Sequence, residues 1–202
     1  MICIGVTGGI GSGKSTVCAL FEKKSVPIFY ADKVANDISE TSAFQEISDE
    51  FGEMIVDRKG ALDRKRLAEI VFHDRGAMEK LNSIIHPRVF EEFHRWKKQD
   101  LGTARYGLIE AAVLFESGMF ELMDYVLAII ANDEIRIRRV IDRDKTTDEQ
   151  VMARIKNQIS LEELLELSDF QLSNSGTLSE TGAKVDFFHI LFSTLKTPKE
   201  IE

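Results

Sequence analysis

Gly8-Gly9-Ile10-Gly11-Ser12-Gly13-Lys14-Ser15-Thr16 is the stretch that decides how this chain folds. It fits GxxxxGK[ST], with Gly8 first and Ser15 last. Before it lies a short apolar run, residues 2–7, and after it residues 14–24 carry Val17, Ala19, Leu20 and Phe21 at helical spacing. A buried strand, a glycine-rich turn and a helix in that order make a phosphate loop. Wrapping backbone amides around a polyphosphate demands close approach and φ > 0 turns, which Gly8, Gly11 and Gly13 permit. The helix then turns its N-terminal dipole and free amides to the anion. Lys14 reaches the β and γ oxygens, and the Ser15 hydroxyl is placed to ligate magnesium. A plain glycine turn would explain the glycines but not Lys14-Ser15, so Gly9 through Thr16 are the candidate nucleotide-binding residues.

Outward from the loop, residues 27–30 read as a second short strand, 106–112 and 125–131 as two more, and 170–172 as a fifth. The alternation with helical patterning predicts an α/β fold with a doubly wound parallel sheet of about five strands. Between the second and third strands, residues 32–100 are dominated by helical patterns, with 63–72, 77–85 and 89–96 the clearest and Gly60 and Pro87 interrupting them. A crossover of that length must be a subdomain. Residues 134–143 and 149–165 read as two helices around a charged break, and 184–195 as a last amphipathic helix. The expected organisation is one domain over 1–202, with a helical insertion at about 33–100 and a small lid at about 136–155.

The chain has 202 residues, 44% hydrophobic and 30% charged, enough for one sizeable core plus an insertion, which excludes a disordered or fibrous protein. Twenty-six Lys and Arg against thirty-four Asp and Glu give a net charge of -8, so no global basic field draws the chain to nucleic acid. No basic region precedes the first apolar residues, and no apolar run approaches the roughly 18 residues of a membrane span. A soluble cytoplasmic protein, monomeric or a small homo-oligomer, is expected. Cys3 and Cys18 lie at apolar positions without a CxxC partner and read as small buried hydrophobes.

A phosphate loop does not by itself separate a nucleotide-dependent switch from a small-molecule kinase. Asp57-Arg58-Lys59-Gly60 has the DxxG pattern of a GTPase switch, but no NKxD or TKxD follows, and the segment reads as a polar turn. Asp32 sits just past the second strand, at the carboxyl end where open parallel sheets place ligands. A kinase whose acceptor is an alcohol uses a carboxylate there to orient and deprotonate the hydroxyl. The same residue type is equally suited to cap a helix starting near Lys33. Arg136, Arg139 and Arg143 would stack on one helical stripe, where like charges repel by about a few tenths of a kcal/mol per pair. A lid closing over a polyphosphate offsets that repulsion, and so does surface pairing of Asp142 with Arg138 or Arg139 and of Glu134 with Arg138.

Taken together, the motifs resemble those of the dephospho-CoA kinase family. The run from Gly5 to Thr16, with its doubled glycine, resembles the family's opening. Val26-Pro27 followed by Ala31-Asp32 is similar to its segment ending in Asp-Ala-Asp. Phe51-Gly52, Gly60-x-Leu62-Asp63-Arg64-x-x-Leu67-Ala68 and Leu81-Asn82 to Ile85-His86-Pro87 resemble its inserted substrate-binding region. Leu114-Phe115-Glu116-Ser117-Gly118 is similar to its third-strand motif, Arg139-x-x-x-Arg143-Asp144 to its lid, and Asp169 with Asn174-x-Gly176 to its last strand and turn.

The resemblance implies a phosphate-loop kinase that transfers the γ-phosphate of ATP to the ribose 3'-hydroxyl of dephospho-CoA with magnesium. It implies Asp32 as catalytic base, Lys14 and Ser15 at the phosphates and the metal, Arg139 or Arg143 as the lid charge, and Asn174 near the nucleotide. On the acceptor side stand His86, which a turn before Pro87 would also explain, and Leu114, Phe115 and Glu116, the last also readable as an exposed helix-start carboxylate. A kinase for another small alcohol or nucleoside keeps the same loop. The chain departs from the family at Tyr30, where an Asp is common, and at Glu110-Ala111-Ala112-Val113, where an Asp and a Pro are. A charged Glu110 inside an apolar strand requires a pairing partner or ligand, which makes it the candidate for the acid near the metal.

Overall fold

Five short apolar strands, β1 (Ile2–Thr7), β2 (Ile28–Tyr30), β3 (Tyr106–Glu110), β4 (Tyr125–Ile130) and β5 (Phe170–Ser173), form one sheet in the order β2-β3-β1-β4-β5. The structure is a computed structural model and describes residues 2–99, 104–156 and 158–196. β1 pairs in parallel with β3, Ile4 opposite Leu108, and with β4, Val6 opposite Leu127, and β4 pairs in parallel with β5. Every residue of β1 and β3 is buried. Both faces of a parallel sheet are covered by helices, so its strands are apolar on both sides of the pleat. The chain leaves β1 toward one edge and later crosses to the other. β1 therefore ends at the switch point, where such sheets hold ligands beyond the strands' carboxyl ends.

The helices are α1 (Lys14–Glu22), α2 (Ala31–Glu40), α3 (Phe44–Phe51), α4 (Arg64–His73), α5 (Arg75–Gln99), α6 (Asp133–Asp144), α7 (Asp148–Lys156), α8 (Leu161–Glu166) and α9 (Leu178–Thr194). The chain divides into two compact units, one of residues 1–29 and 100–202 and the other of Tyr30–Gln99. In the first, Phe21 of α1 stacks on Phe192 of α9 at 6.1 Å between ring centres, and both meet Tyr106 of β3 edge-on. These aromatic rings fasten α1, and with it the phosphate loop, to the sheet. The second unit packs its helices around Ile38, Ile47, Ile55, Leu67, Ile84 and Phe93. No described helix is long and apolar enough to cross a membrane. Cys3 and Cys18 are buried and form no disulfide among the described residues, and burial pushes the Cys18 thiol up, with the Glu110 carboxylate raising it further.

Several elements differ from their sequence patterns. Residues 77–85 and 89–96 are one continuous helix, α5, with Pro87 inside it. Pro87 has no N–H to donate and its ring crowds the preceding turn, and there the Arg88 side chain donates Nη1 to the Ile84 carbonyl at 2.6 Å. The 149–165 pattern is two helices, because Ser160 caps α8 by accepting from the Glu163 N–H at 3.1 Å and so starts a new one. α9 starts well before residue 184, at a capping box in which Thr177 and Glu180 each accept from the other's backbone N–H. Thr177-Leu178-Ser179-Glu180 is the sequence signal for it. Asp57 to Gly60 is a tight turn, with Asp57 Oδ1 accepting from the backbone of Lys59 at 2.7 Å and of Ala61 at 3.0 Å.

Candidate active site

The loop between β1 and α1 owes its path to its glycines. Gly13 precedes α1 at φ 93°, in the left-handed region, and a Cβ there would strike the Asn174 side chain. Gly11, at φ 78°, lies against the backbone of Arg136 just as closely. The glycine pattern thus serves packing against α6 and the turn after β5 as well as phosphate approach.

The loop's carbonyls are taken from outside. The Ile10 carbonyl accepts from Arg136 Nε at 3.0 Å, and the Ser12 carbonyl from Asn174 Nδ2 at 2.8 Å. Arg139 donates Nη2 to the Asn174 carbonyl at 2.9 Å and makes longer contacts from Nη1 to the carbonyls of Ser12 at 3.4 Å and Gly11 at 3.5 Å. In a trans peptide the C=O and the following N–H point in opposite directions. Turning the Ile10 and Ser12 carbonyls toward these donors therefore aims the Gly11 and Gly13 amides the other way, toward the anion side of the loop. Two guanidinium groups on the carbonyl side of the loop add positive charge to its surroundings. Asn174 is 4% exposed and its Oδ1 accepts from Thr181 Oγ1 at 2.8 Å, so the amide is fixed at both ends. Ser12 Oγ is buried without a hydrogen-bond partner among the described residues, beside a cavity of about 30 Å³, room for a single water.

At the start of α1, Lys14 Nζ donates to the Gly8 carbonyl at 2.7 Å, which holds the ammonium over the loop. Ser15 Oγ donates to Glu110 Oε1 at 3.1 Å. Glu110 is the last residue of β3, the strand next to β1, and is 7% exposed, so its carboxylate sits directly beside the serine. The charged residue that looked costly in an apolar strand thus has the loop serine as partner. One hydroxyl and one carboxylate suit a magnesium ion that keeps several waters and completes its shell on substrate phosphates. No group of three or more His, Cys, Asp or Glu forms a metal cluster among the described residues, so the donor set does not match a fully protein-liganded ion.

The arginine stripe divides. Arg136 and Arg139 turn onto the loop, whereas Arg143 pairs with its neighbour Asp144, Nε to Oδ1 at 2.6 Å and Nη2 to Oδ2 at 3.1 Å. Arg154 of α7 joins the same carboxylate at 3.0 Å. The hydrogen bond from Arg143 holds the Asp144 carboxyl below its ordinary value. Arg136, a stripe member without an assigned role, proves to be the arginine bound most directly to the loop turn. Its signal was its place one helical turn before Arg139. Gln158, which accepts from the Ile10 N–H at 2.8 Å, carries no sequence signal, because nothing in the pattern around it points at the loop.

Beyond β3, Leu114 is fully buried and packs so closely on β1 that a Cβ at Gly5 would lie 2.6 Å from it. Phe115 is half-buried against Phe120 at 5.5 Å, and Glu116 is exposed in a turn rather than at a helix start. In the other unit, Asp32 is the second residue of α2 and not its cap. The cap position is Tyr30, without a side-chain cap hydrogen bond, so the capping role does not account for Asp32. His86 is helical, inside α5, rather than in a turn before Pro87. It lies half-buried beside Phe90, and burial pushes its pKa down.

A family model described as dephospho-CoA kinase matches residues 2–180. The chain is 40% identical over 189 residues to a protein of Fusobacterium nucleatum named dephospho-CoA kinase, covering 93% of this chain and 97% of that one. It is 41% identical over 187 residues to one of the same name from Salinibacter ruber, covering 91% and 94%. The solved structure of dephospho-CoA kinase from Campylobacter jejuni superposes with a TM-score of 0.69 at 28% identity, covering 95% of this chain and 96% of that chain.

Proposed function

The chain belongs to the dephospho-CoA kinase family, and from that membership we propose how its own residues carry out the transfer of the ATP γ-phosphate to the ribose 3'-hydroxyl of dephospho-CoA. The reaction needs little covalent chemistry from the protein. It needs alignment of donor and acceptor and stabilisation of charge spread over the transferring group.

Gly9 through Thr16 form the loop that holds the polyphosphate, on those backbone amides, such as Gly11 and Gly13, that face away from the bound carbonyls. Lys14 exchanges the Gly8 carbonyl for the β and γ oxygens. Ser15, with Glu110 beside it, would hold magnesium, which when bound would offset negative charge on the phosphates. Arg139 fixes the loop to the turn at Asn174 and supplies positive charge there. Arg143, released from Asp144 as a lid over about residues 136–155 closes, reaches the transferring group. Asp32 accepts the proton of the 3'-hydroxyl as the oxygen attacks phosphorus, and the bond to the ADP oxygen breaks on the opposite side. Tyr30–Gln99 forms the acceptor-binding insertion, with His86 and the segment at Phe115 and Glu116 on the acceptor side. Leu114 acts from beneath, by packing.

The observation that supports this reading most is the Ser15–Glu110 hydrogen bond, which brings a carboxylate to the one loop side chain suited to a metal ion. The test is ADP release with MgATP, comparing dephospho-CoA with AMP, adenosine, shikimate and gluconate, and identifying the phosphorylated product by mass. Selective turnover of dephospho-CoA is expected. Preference for another alcohol would overturn the acceptor assignment while leaving the kinase mechanism.

A further inference from the structure

Gln158, which none of the steps above uses, accepts on Oε1 from the backbone N–H of Ile10 at 2.8 Å, across 148 positions of sequence. Ile10 is the residue at the turn of the phosphate loop. Its carbonyl accepts from Arg136 Nε at 3.0 Å, and the carbonyl of Gly9, on the preceding peptide, accepts from the Ser12 N–H at 3.1 Å. The two peptide planes that meet at Ile10 are therefore held at three atoms. Two of the three partners come from the segment between β4 and β5: Arg136 from the first turn of α6, and Gln158 from the connection between α7 and α8. Rotation about φ or ψ of Ile10 breaks one of these bonds.

The Ile10–Gly11 peptide plane decides where the Gly11 amide points, because its N–H lies opposite the carbonyl that Arg136 holds. We infer that Gln158 is a positioning residue for ATP, a latch on the Ile10 amide that keeps the phosphate loop in its nucleotide-binding shape and ties it to the arginine-bearing segment. The inference rests on the loop binding ATP as described above. Residue chemistry fits the role. A glutamine is a neutral acceptor of the reach required, whereas a glutamate would accept equally well but set a negative charge beside a polyphosphate.

Two variants test it. Gln158→Met keeps the length and volume of the side chain and removes the acceptor, and Gln158→Glu keeps the acceptor and adds the charge. In the nucleotide-free protein, exchange of the Ile10 amide followed by NMR should quicken at least about tenfold in Gln158→Met and stay at the wild-type rate in Gln158→Glu. In steady-state assays Gln158→Met should raise KM for ATP about five- to tenfold, the loss of one hydrogen bond, with KM for dephospho-CoA within about twofold. Gln158→Glu should raise KM for ATP despite its protected amide. Wild-type exchange at Ile10 in Gln158→Met would overturn the latch, and so would an equal rise in KM for both substrates, the mark of a general structural role. The exchange experiment needs no turnover, so its failure leaves the kinase reading intact. Conversely, a wild-type protein inactive on every acceptor would count against that reading without touching the latch.

Discussion

Ser15 Oγ and Glu110 Oε1, 3.1 Å apart, join the first turn of α1 to the end of β3. The two residues are 95 positions apart in sequence and meet only because β3 lies beside β1 in the sheet. Glu110 is buried, so its charge is stable there only with partners, of which the serine is one and a bound cation would be another. Glu110→Gln keeps the shape and removes the charge. We expect it to raise the magnesium concentration needed for half-maximal turnover by about 10- to 100-fold, the usual cost of losing a group that supports a metal ligand. Binding of ATP measured without magnesium should change little. An unchanged magnesium dependence would remove Glu110 from the metal site.

Arg139 and Arg143 lie one helical turn apart but should fail differently. Arg139 ties the loop to Asn174, so Arg139→Ala should lower both the melting temperature and kcat. Arg143 is largely exposed and pairs with Asp144, an arrangement worth less than about 1 kcal/mol of stability. Arg143→Ala should leave the melting temperature nearly unchanged while lowering kcat by about 10³-fold, the low end for an arginine that meets the transferring phosphoryl group. Comparing melting curves with kcat for the two variants separates the roles. Full activity in Arg143→Ala would make that arginine a surface pair.

How far the sequence is legible depends on the range of each interaction. The phosphate loop is written in consecutive residues, and the strands announce themselves because a parallel sheet demands apolar runs. Glu110 is legible as an anomaly, a charge in such a run, although its partner is not, since nothing local names Ser15. Gln158 is silent, because a glutamine after a helix is ordinary until the chain brings it to Ile10. Pro87 misleads. As a local breaker it predicts a boundary, but packing around Ile84 and Phe93 carries α5 through it. The Thr177–Glu180 capping box was readable, whereas the break before Ser160 was masked by apolar residues on both sides at helical spacing, Val151 and Ile155 before it and Leu161, Leu164 and Leu165 after it.

His86 gives the fold a pH signature. Burial in α5 pushes its pKa below the ordinary imidazole value, so in the window just under about pH 6.5 the unfolded chain binds a proton that the folded chain does not. Stability then rises with pH across that window. It is fully present above about pH 6.5 and lost as pH falls toward the folded-state value. His86→Gln removes the titrating group without adding charge. The drop in melting temperature between pH 7 and pH 5.5 should therefore be shallower in that variant than in the wild type. Parallel curves would show that His86 titrates alike in both states.

Asp32 is the residue on which the chemistry of the acceptor turns. It lies in the first turn of α2, where a carboxylate is favoured by the helix dipole whatever its function, so position alone is also compatible with a stabilising role. The two roles part at Asp32→Asn, which keeps the size and loses both the charge and the basicity. A helix-start carboxylate is worth about 0.3–1 kcal/mol, a small shift in melting temperature with turnover preserved. A general base is worth about 10²- to 10⁴-fold in rate. We expect kcat to fall by at least about 10²-fold with the affinity for a fluorescent ATP analogue retained, because the proton to be removed belongs to the acceptor and not to the nucleotide. Turnover near the wild-type rate would leave the 3'-hydroxyl to lose its proton to solvent, and Asp32 to the helix.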